Sequence, residues 1–463
     1  MRPTVDALAA WYVANGWVDA QVRGVLEAQG ANVVVRYVAD PGPRPRVADV
    51  RVAEAGKTRD VVIRRSLSVK EGDFVRPTAL ADSRERLSDV GVFRSVDVRA
   101  EPRADDPGLR DVVVGLVDKP DVQVEYGVRY TTQGEGSAGA APSSPSEARW
   151  QLAGALELVN PFGLGVKTRA YGFGTTSRQS WGLNLDAATL AGWRLRTQLF
   201  LFNDNDDDIE ISGVASHVRG VTAQQSRVLL RDRRGRRWHE RLRLQWGYTF
   251  KDIEYVESAD PMRFLQGDRG FASLAAIGDE RDNLTDPRRG IFWTGTSELA
   301  RTWLASDVDY VRLYGQLFVY VPVGPLVWAQ GYRVGAVPGT DPLLLLEKRF
   351  HAGGPTTVRG YEQNALGPQT AEGDALGGQG VVVLNQELRF PIAGKLKGGL
   401  FWDAGNVWAT SGELDFGDLR QSAGAGLRYI FPFGPIRVEY AWILGRREGE
   451  PAGRFVFGLG HAF

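Results

Sequence analysis

The sequence predicts a mainly β protein, in which a sixteen-stranded antiparallel transmembrane β-barrel follows a small α+β region. Three observations predict this fold class. The mean hydropathy is −0.24, and no apolar stretch approaches the roughly 20 residues that a membrane-spanning helix needs. From residue 121 onward, segments that alternate apolar and polar side chains follow one another, as the strands of a barrel do. Their connections alternate between tight turns and long polar loops.

Composition suits a barrel without requiring one. The 13 Trp, 14 Tyr, 20 Phe and 56 Gly residues fit aromatic girdles and tight turns, although a large soluble β protein shares such numbers. The 56 basic and 56 acidic residues produce no global field that favours nucleic acid. The lack of cysteine fits an oxidising compartment only weakly. Met1–Thr4 carries no apolar signal region, so for an exported protein we expect the natural N-terminus to lie upstream.

The first 118 residues predict two small α+β modules. Helical spacing runs from Thr4 to Asn15, and strand-like runs at 33–37 and 47–52 flank a Pro- and Gly-rich stretch. The elements predicted beyond them are helices at 59–66 and 77–90 and strands at 95–100 and 111–117. From residue 47 the order is therefore that of one complete β-α-α-β-β module. Residues 1–46 contain only the second half of the same pattern.

The barrel prediction depends on which side chains occupy each face of the alternating segments. In Glu240–Phe250, Trp246 and Tyr248 alternate with Arg241 and Arg243. A soluble sandwich also alternates, but an aromatic face opposite an ionic one suits lipid outside and a wet lumen inside. The sixteen predicted segments are 121–131, 149–159, 166–174, 179–188, 193–203, 221–232, 237–252, 270–280, 290–301, 307–321, 326–336, 380–391, 396–408, 420–432, 435–445 and 453–463.

The lengths of the connections predict the orientation of the barrel. Even-numbered connections are mostly tight, as at Asn160–Gly163 and Pro322–Pro325. The long polar loops are predicted at 133–148, 203–220, 254–268 and 337–379. Short turns at one rim and long loops at the other are typical of bacterial outer-membrane barrels. An even number of strands returns the C-terminus to the periplasmic rim, where the first strand begins.

The longest loop carries the strongest local signal, Gly353-Gly354-Pro355-Thr356-Thr357-Val358-Arg359-Gly360-Tyr361. Its last four residues, Val358, Arg359, Gly360 and Tyr361, resemble the VRGY motif of the BamA/TamA outer-membrane assembly family and of the related two-partner-secretion transporters. The resemblance implies a loop folded into the lumen, with its arginine against acidic residues of the wall. Alternation places Glu387 and Asp403 on suitable faces, so both are predicted partners of Arg359. A Gly-rich surface turn with a solvated arginine is the alternative.

Two stretches near the N-terminus resemble POTRA domains. Leu87–Val98 resembles the point in a POTRA domain where a helix ends at glycine and an aromatic side chain packs beneath the next strand. Asn15–Val22 resembles the same point in a preceding copy. The resemblance divides the chain into the C-terminal part of a truncated POTRA domain at 1–46, a complete POTRA domain at 47–118 and the barrel at 119–463.

The charged run Gly278–Gly290 resembles the family's turn between strands eight and nine. Asp and Asn side chains bond their own backbone, proline sets the turn and glycine releases the chain into the next strand. We therefore predict a periplasmic turn in preference to a metal or catalytic site. Its motif residues are Asp279, Arg281, Asp282, Pro287 and Gly290.

The last segment, Phe455–Phe463, resembles the C-terminal β-signal of barrel proteins, with an ordinary final strand as the alternative. In the BamA/TamA family the last strand pairs only loosely with the first, which implies a lateral seam. The predicted seam residues are Val124, Tyr126 and Val128 of the first strand and Phe455, Phe457, Leu459 and Phe463 of the last.

The resemblance implies an insertase in the bacterial outer membrane, with its POTRA module in the periplasm and client strands templated at the seam. The implied partners are unfolded outer-membrane protein clients, the lipid bilayer, and periplasmic or inner-membrane accessory proteins that dock on POTRA, but not nucleic acid. A two-partner-secretion transporter and a passive porin-type channel are the alternatives. BamA-like and TamA-like roles both stay open, with the TamA-like role, which includes autotransporter assembly, slightly favoured.

Catalytic and metal motifs are absent from the sequence. It lacks G-x-S-x-G, H-E-x-x-H and a phosphate-binding loop, and its four histidines share no metal-ligand spacing. The acidic run Asp204–Asp208 is interpreted as a solvated loop in preference to a calcium site. We therefore expect no enzymatic activity, no cofactor and no metal.

Overall fold

The computed structural model describes the chain apart from residues 1, 30–31, 54–55, 107, 132–148, 176–177, 190–194, 207–213, 235–236, 259–266, 340–347, 370–372, 374, 432–433 and 461–463. The chain forms two compact units. The first comprises Met1–Glu125, Ala155–Ala170 and Asn184–Thr197, and the second comprises Tyr126–Gly154, Tyr171–Leu183 and Gln198–Phe463. Within the described residues, no helix has the length and apolarity needed to cross a membrane.

The N-terminal residues form a helix followed by a β-hairpin. Helix α1 (Arg2–Ala14) precedes strands β1 (Gln21–Gln29) and β2 (Asn32–Asp40), which pair antiparallel as a two-stranded sheet. The predicted helix and the strand at 33–37 are confirmed. Strand β1 was not predicted, because the adjacent apolar residues Val25 and Leu26 break the two-residue alternation that marks a strand.

The next module has the predicted β-α-α-β-β order. It consists of β3 (Arg46–Ala53), α2 (Asp60–Ser66), α3 (Pro77–Val90), β4 (Phe93–Pro102) and β5 (Leu109–Asp118). The three strands form one sheet in the order β3-β5-β4, in which β3 runs parallel and β4 antiparallel to β5. Helix α3 has proline at its first position and ends at Gly91, whose φ of +79° favours glycine.

A hydrophobic core joins the helices to this sheet and extends to Val159. Ile63 and Leu87 from the helices and Val112 and Val114 from β5 are fully buried, and all belong to one cluster with Val159. Val159 lies at the end of the second barrel strand, so this part of the barrel chain packs within the first unit. The sequence did not predict that contact.

Sixteen strands form the third sheet, as predicted. They are β6 (Val122–Thr131), β7 (Arg149–Val159), β8 (Val166–Gly174), β9 (Arg178–Ala187), β10 (Arg196–Asp206), β11 (Val214–Arg234), β12 (Arg237–Ser258), β13 (Gly267–Asp279), β14 (Gly290–Ala300), β15 (Tyr310–Val323), β16 (Leu326–Ala336), β17 (Gly380–Ala393), β18 (Leu396–Trp408), β19 (Arg420–Phe431), β20 (Gly434–Leu444) and β21 (Gly453–Leu459). Each strand neighbours the next in the chain, from β6 at one end of the order to β21 at the other.

Two of the predicted long loops are shorter than expected. Strands β11 and β12 pair from Val214↔Ser258 onward, so the regions 203–220 and 254–268 that were predicted as loops are partly strand. These outer ends carry polar side chains, such as Arg219, whose Nε donates to Asp252 at 2.8 Å. Backbone pairing continues there, and the single described apolar pair, Val218 with Ile253, is too short a pattern for alternation to mark as a strand.

Candidate functional site

The candidate site is the loop between β16 and β17, whose motif residues are buried. Val358 and Arg359 are 0% exposed and Tyr361 is 7% exposed. This burial excludes the alternative of a surface turn with a solvated arginine. Val358 joins a core cluster with residues from the barrel wall, including Val381 and Val407, so the loop packs on the inward face of the strands.

A tight glycine-rich turn presents the arginine. Gly353 and Gly354 have φ values of +106° and +101°, a region that L side chains rarely adopt. The Gly354 N–H donates to the carbonyls of Val358 at 3.3 Å and Tyr361 at 3.1 Å. The Gly353 N–H donates to Thr357 Oγ1 at 2.9 Å. The turn closes on itself and leaves the Arg359 side chain free to reach the wall.

Asp403 on β18 holds Arg359 in a two-pronged ion pair. Nε donates to Oδ2 at 2.7 Å and Nη2 donates to Oδ1 at 2.8 Å. The Arg359 backbone N–H also donates to Oδ2, at 3.2 Å. The guanidinium carbon lies 3.4 Å from the centre of the Phe401 ring. Both the direction and the depth of the side chain are therefore set by groups on one strand.

The remaining nitrogen of the guanidinium reaches two further strands. Nη1 donates to Glu387 on β17 at 3.2 Å and to Glu439 on β20 at 3.3 Å. The structure thus brings Arg359 together with both predicted carboxylates. Sequence reasoning missed Glu439, although it lies on the polar face of its strand beside Arg437.

Three further arginines pair with Glu387 and Glu439. Glu387 accepts a hydrogen bond from Arg389 at 2.8 Å and pairs with Arg428. Glu439 accepts from Arg437 at 2.6 Å. Asp403 instead accepts from the Asn385 amide at 2.8 Å. Because these ionic side chains are at most 3% exposed, each charge depends on its partners.

The other motif residues fit against β19. A Cβ on Gly360 would lie 2.7 Å from the Cβ of Ser422, and the Gly360 N–H donates to Ser422 Oγ at 3.2 Å. The Tyr361 hydroxyl accepts from Arg420 Nε at 3.0 Å, and Arg420 also pairs with Glu450. Only glycine allows this close approach, and the motif as a whole touches β17, β18, β19 and β20.

The predicted turn motif forms a hydrogen-bonded connection between β13 and β14. Arg281 donates to Asp279 through Nε at 2.9 Å and Nη2 at 2.7 Å. Asp282 accepts from the backbone N–H groups of Arg288 at 3.0 Å and Arg289 at 3.2 Å. The residues that complete the motif are the buried Pro287 and Gly290, with φ +117°. Within the described parts of the chain, no cluster of His, Cys, Asp or Glu could hold a metal ion.

The predicted seam residues lie on the two terminal strands of the sheet. Val124, Tyr126 and Val128 of β6 are 67%, 91% and 62% exposed. On β21, Phe455 and Phe457 are 66% and 58% exposed. The side chain of Leu459 and the whole of Phe463 lie outside the described residues. Strand β21 pairs with β20 over only seven residues, from Gly453 to Leu459.

Known protein families match most of the chain. The Omp85 superfamily domain matches residues 160–463, and POTRA, described as a surface antigen variable number repeat, matches residues 45–127. The outer membrane protein assembly factor BamA of Nitratidesulfovibrio vulgaris is 24% identical over 100% of this chain. The chain spans 57% of that relative's length.

Solved structures share the fold. BamA from Haemophilus ducreyi lacking POTRA domains 1–3 matches with a TM-score of 0.71 and 17% identity, over 98% of this chain and 91% of that one. CdiB from Acinetobacter baumannii matches with a TM-score of 0.53 and 15% identity, over 98% of this chain and 80% of that one. At these identities the likeness concerns the fold alone.

Proposed function

Because this chain belongs to the Omp85 superfamily, we propose that it is an assembly factor that inserts client β-barrels by templating their strands at a lateral seam. The chain is an outer-membrane protein with its POTRA domain in the periplasm. The observation that carries the proposal is that β6 and β21 end the order of the sixteen-stranded sheet, and that both expose apolar side chains. A strand edge offers N–H and C=O groups with which an incoming strand can pair.

The motif loop supports this role by joining the strands that precede β21. Arg359 contacts β17, β18 and β20, and Tyr361 contacts β19 through Arg420. Strand β21 is held by its seven-residue ladder with β20, by Arg437 Nε, which donates to the Gly460 carbonyl at 2.7 Å, and by an exposed ion pair of Arg454 with Glu362 at 3.7 Å. The buried ion pairs therefore join the preceding strands, and β21 has only one exposed ion pair with the loop, so we infer that it is the strand that can be displaced.

The proposed mechanism involves no covalent chemistry, no nucleotide and no cofactor. The free energy comes from the client, which buries its apolar strands in lipid as it folds. Unfolded outer-membrane proteins are the proposed clients, and the POTRA domain is the proposed docking site for them and for periplasmic or inner-membrane accessory proteins. A TamA-like role predicts insertion of autotransporters in preference to porins, and a BamA-like role predicts insertion of both.

Locking the seam tests the proposal. The sequence contains no cysteine, so Tyr126→Cys with Phe457→Cys introduces one defined pair, which is treated with bis-maleimides of increasing length. The matched control is Tyr440→Cys with Phe455→Cys, because these rings already touch across β20 and β21, with centroids 4.9 Å apart. We expect the seam lock to stop insertion of clients into liposomes and the control lock to leave it unchanged.

The same variants separate the alternatives. Continued client insertion by the locked seam variant would refute templating at the seam. A two-partner-secretion transporter carries its substrate through the lumen, so its export would survive the lock. A passive channel would show a large, steady conductance in planar bilayers with both locked and unlocked protein.

A further inference from the structure

A groove of about 450 Å³ crosses strands β13 to β16 on the face opposite the motif loop. On that face its lining includes Ala276, Gly295, Ser297, Leu313, Gly315 and Val334. Leu313 is 45% exposed and Val334 is 54% exposed. Tyr314, next to Leu313 in the strand, points the other way and stacks on Phe350 of the motif loop, with ring centroids 5.9 Å apart. The groove therefore faces outward, toward the lipid.

Two glycines on neighbouring strands form the floor of the groove. Gly295 on β14 pairs with Gly315 on β15. A Cβ on Gly295 would have no neighbour within 4 Å, and one on Gly315 would have its nearest at 3.8 Å. The space above both residues is therefore open. Leu313 and Val334 form walls beside it, and Ser297 contributes the one polar side chain among the described lining residues that alternate onto this outward face.

The depth of the groove places it in the hydrocarbon layer. Gly295 and Gly315 face each other in the ladder, five residues from the pair Gly290↔Tyr320 at its periplasmic end. With a rise of about 3.4 Å per residue and a strand tilt of about 40°, both glycines are roughly 13 Å above that end. The apolar band of an outer-membrane barrel is about 25 Å tall, so the groove opens near its middle.

We propose that this groove binds one acyl chain of a phospholipid. Lipid tails are as apolar as leucine, so burying a tail in the groove has no hydrophobic driving force. Specificity comes instead from dispersion, because a chain lying on the glycine floor gains atom contacts that it cannot make on a smooth wall. Each such contact contributes roughly 0.1–0.2 kcal/mol. About ten of them therefore contribute ~1.4 kcal/mol, which favours occupancy of the groove about tenfold.

Photolabelling in lipid nanodiscs tests this site. The protein is reconstituted in phosphatidylcholine that contains a small fraction of a diazirine-labelled acyl chain, and labelled peptides are mapped by mass spectrometry. We expect peptides containing Gly295 or Gly315 to be labelled about tenfold more than the outward-facing segment around Ala425 on β19. Gly315→Leu fills the groove and should reduce that labelling to background. The matched control, Ala425→Leu, places a leucine on the outward face of another strand and should leave the labelling of the groove peptides unchanged.

Three results would overturn the proposal. Background labelling of the groove peptides in the natural sequence, or enrichment that persists in folded Gly315→Leu, overturns the proposal. If Gly315→Leu does not fold, Gly295→Val fills the same floor from the neighbouring strand. A photoreactive amino acid at Leu313 that cross-links two copies of the chain, with no lipid adduct, assigns the groove to a protein contact and also overturns it. The seam tests do not depend on this result.

Discussion

Replacing Arg359 with alanine tests the central network of the motif loop. The change removes four side-chain hydrogen bonds to carboxylates. Glu387 and Glu439 keep arginine partners in the variant, because Arg389, Arg428 and Arg437 also contact them. Asp403 loses both prongs of its ion pair and retains only the Asn385 amide and one backbone N–H. The loss is therefore concentrated on one buried carboxylate.

The expected loss in the free energy of unfolding follows from that geometry. Breaking a buried ion pair from one side destabilises a protein by about 3–5 kcal/mol, since the remaining charge stays buried. Asp403→Asn in the same background removes the stranded charge, and a double-mutant cycle should therefore show a coupling of about 2 kcal/mol. Arg359→Lys keeps the charge but loses the two-pronged geometry, so its effect should be intermediate.

Two assays measure the outcome. Urea unfolding of the barrel in lipid vesicles reports the free energy of unfolding, and insertion of a client barrel into liposomes reports function. We expect Arg359→Ala to remain folded, to unfold at lower urea and to insert clients weakly. Unchanged unfolding and unchanged insertion would refute the reasoning, because they would show that the ion pairs contribute neither stability nor a required loop position.

Two further variants test single residues, one for close packing and one for backbone strain. Gly360→Ala places a methyl group 2.7 Å from the Ser422 Cβ, so we expect a loss of about 1–3 kcal/mol, measured by urea unfolding. Ser422→Gly should restore part of the loss, and an equally unstable double variant would contradict the steric explanation. Asn160, with φ +56°, donates to Thr58 at 2.8 Å and accepts from the Gly165 N–H at 2.7 Å. Asn160→Ala and Asn160→Gly both lose these two hydrogen bonds, but only alanine is strained at a positive φ. Asn160→Ala should therefore lower the hydrogen-exchange protection of residues 57–62 by about 1 kcal/mol more than Asn160→Gly does. Equal protection in the two variants would contradict the strain.

Arg359 and its partners illustrate how far the sequence predicts the site. The motif in the longest loop predicted a buried arginine, and strand alternation selected Glu387 and Asp403. Glu439 is 80 residues from Arg359, and alternation alone did not distinguish it from other acidic residues on inward faces. Its role depends on strand β20 lying within reach of the loop, which is a property of the folded sheet. The contact of Val159 with the core of the first unit was missed for the same reason.

Local patterns in the chain were enough to predict the order and number of the barrel strands and the face on which each side chain lies, because the two-residue period and the turn residues are local properties of the chain. The sequence also determined that one loop carries the motif arginine. The folded structure was needed to show that Glu439 also meets that arginine, how far β11 and β12 extend, and where two glycines leave an open groove. Those features depend on the register between strands and on the approach of residues distant in sequence, which no local pattern records.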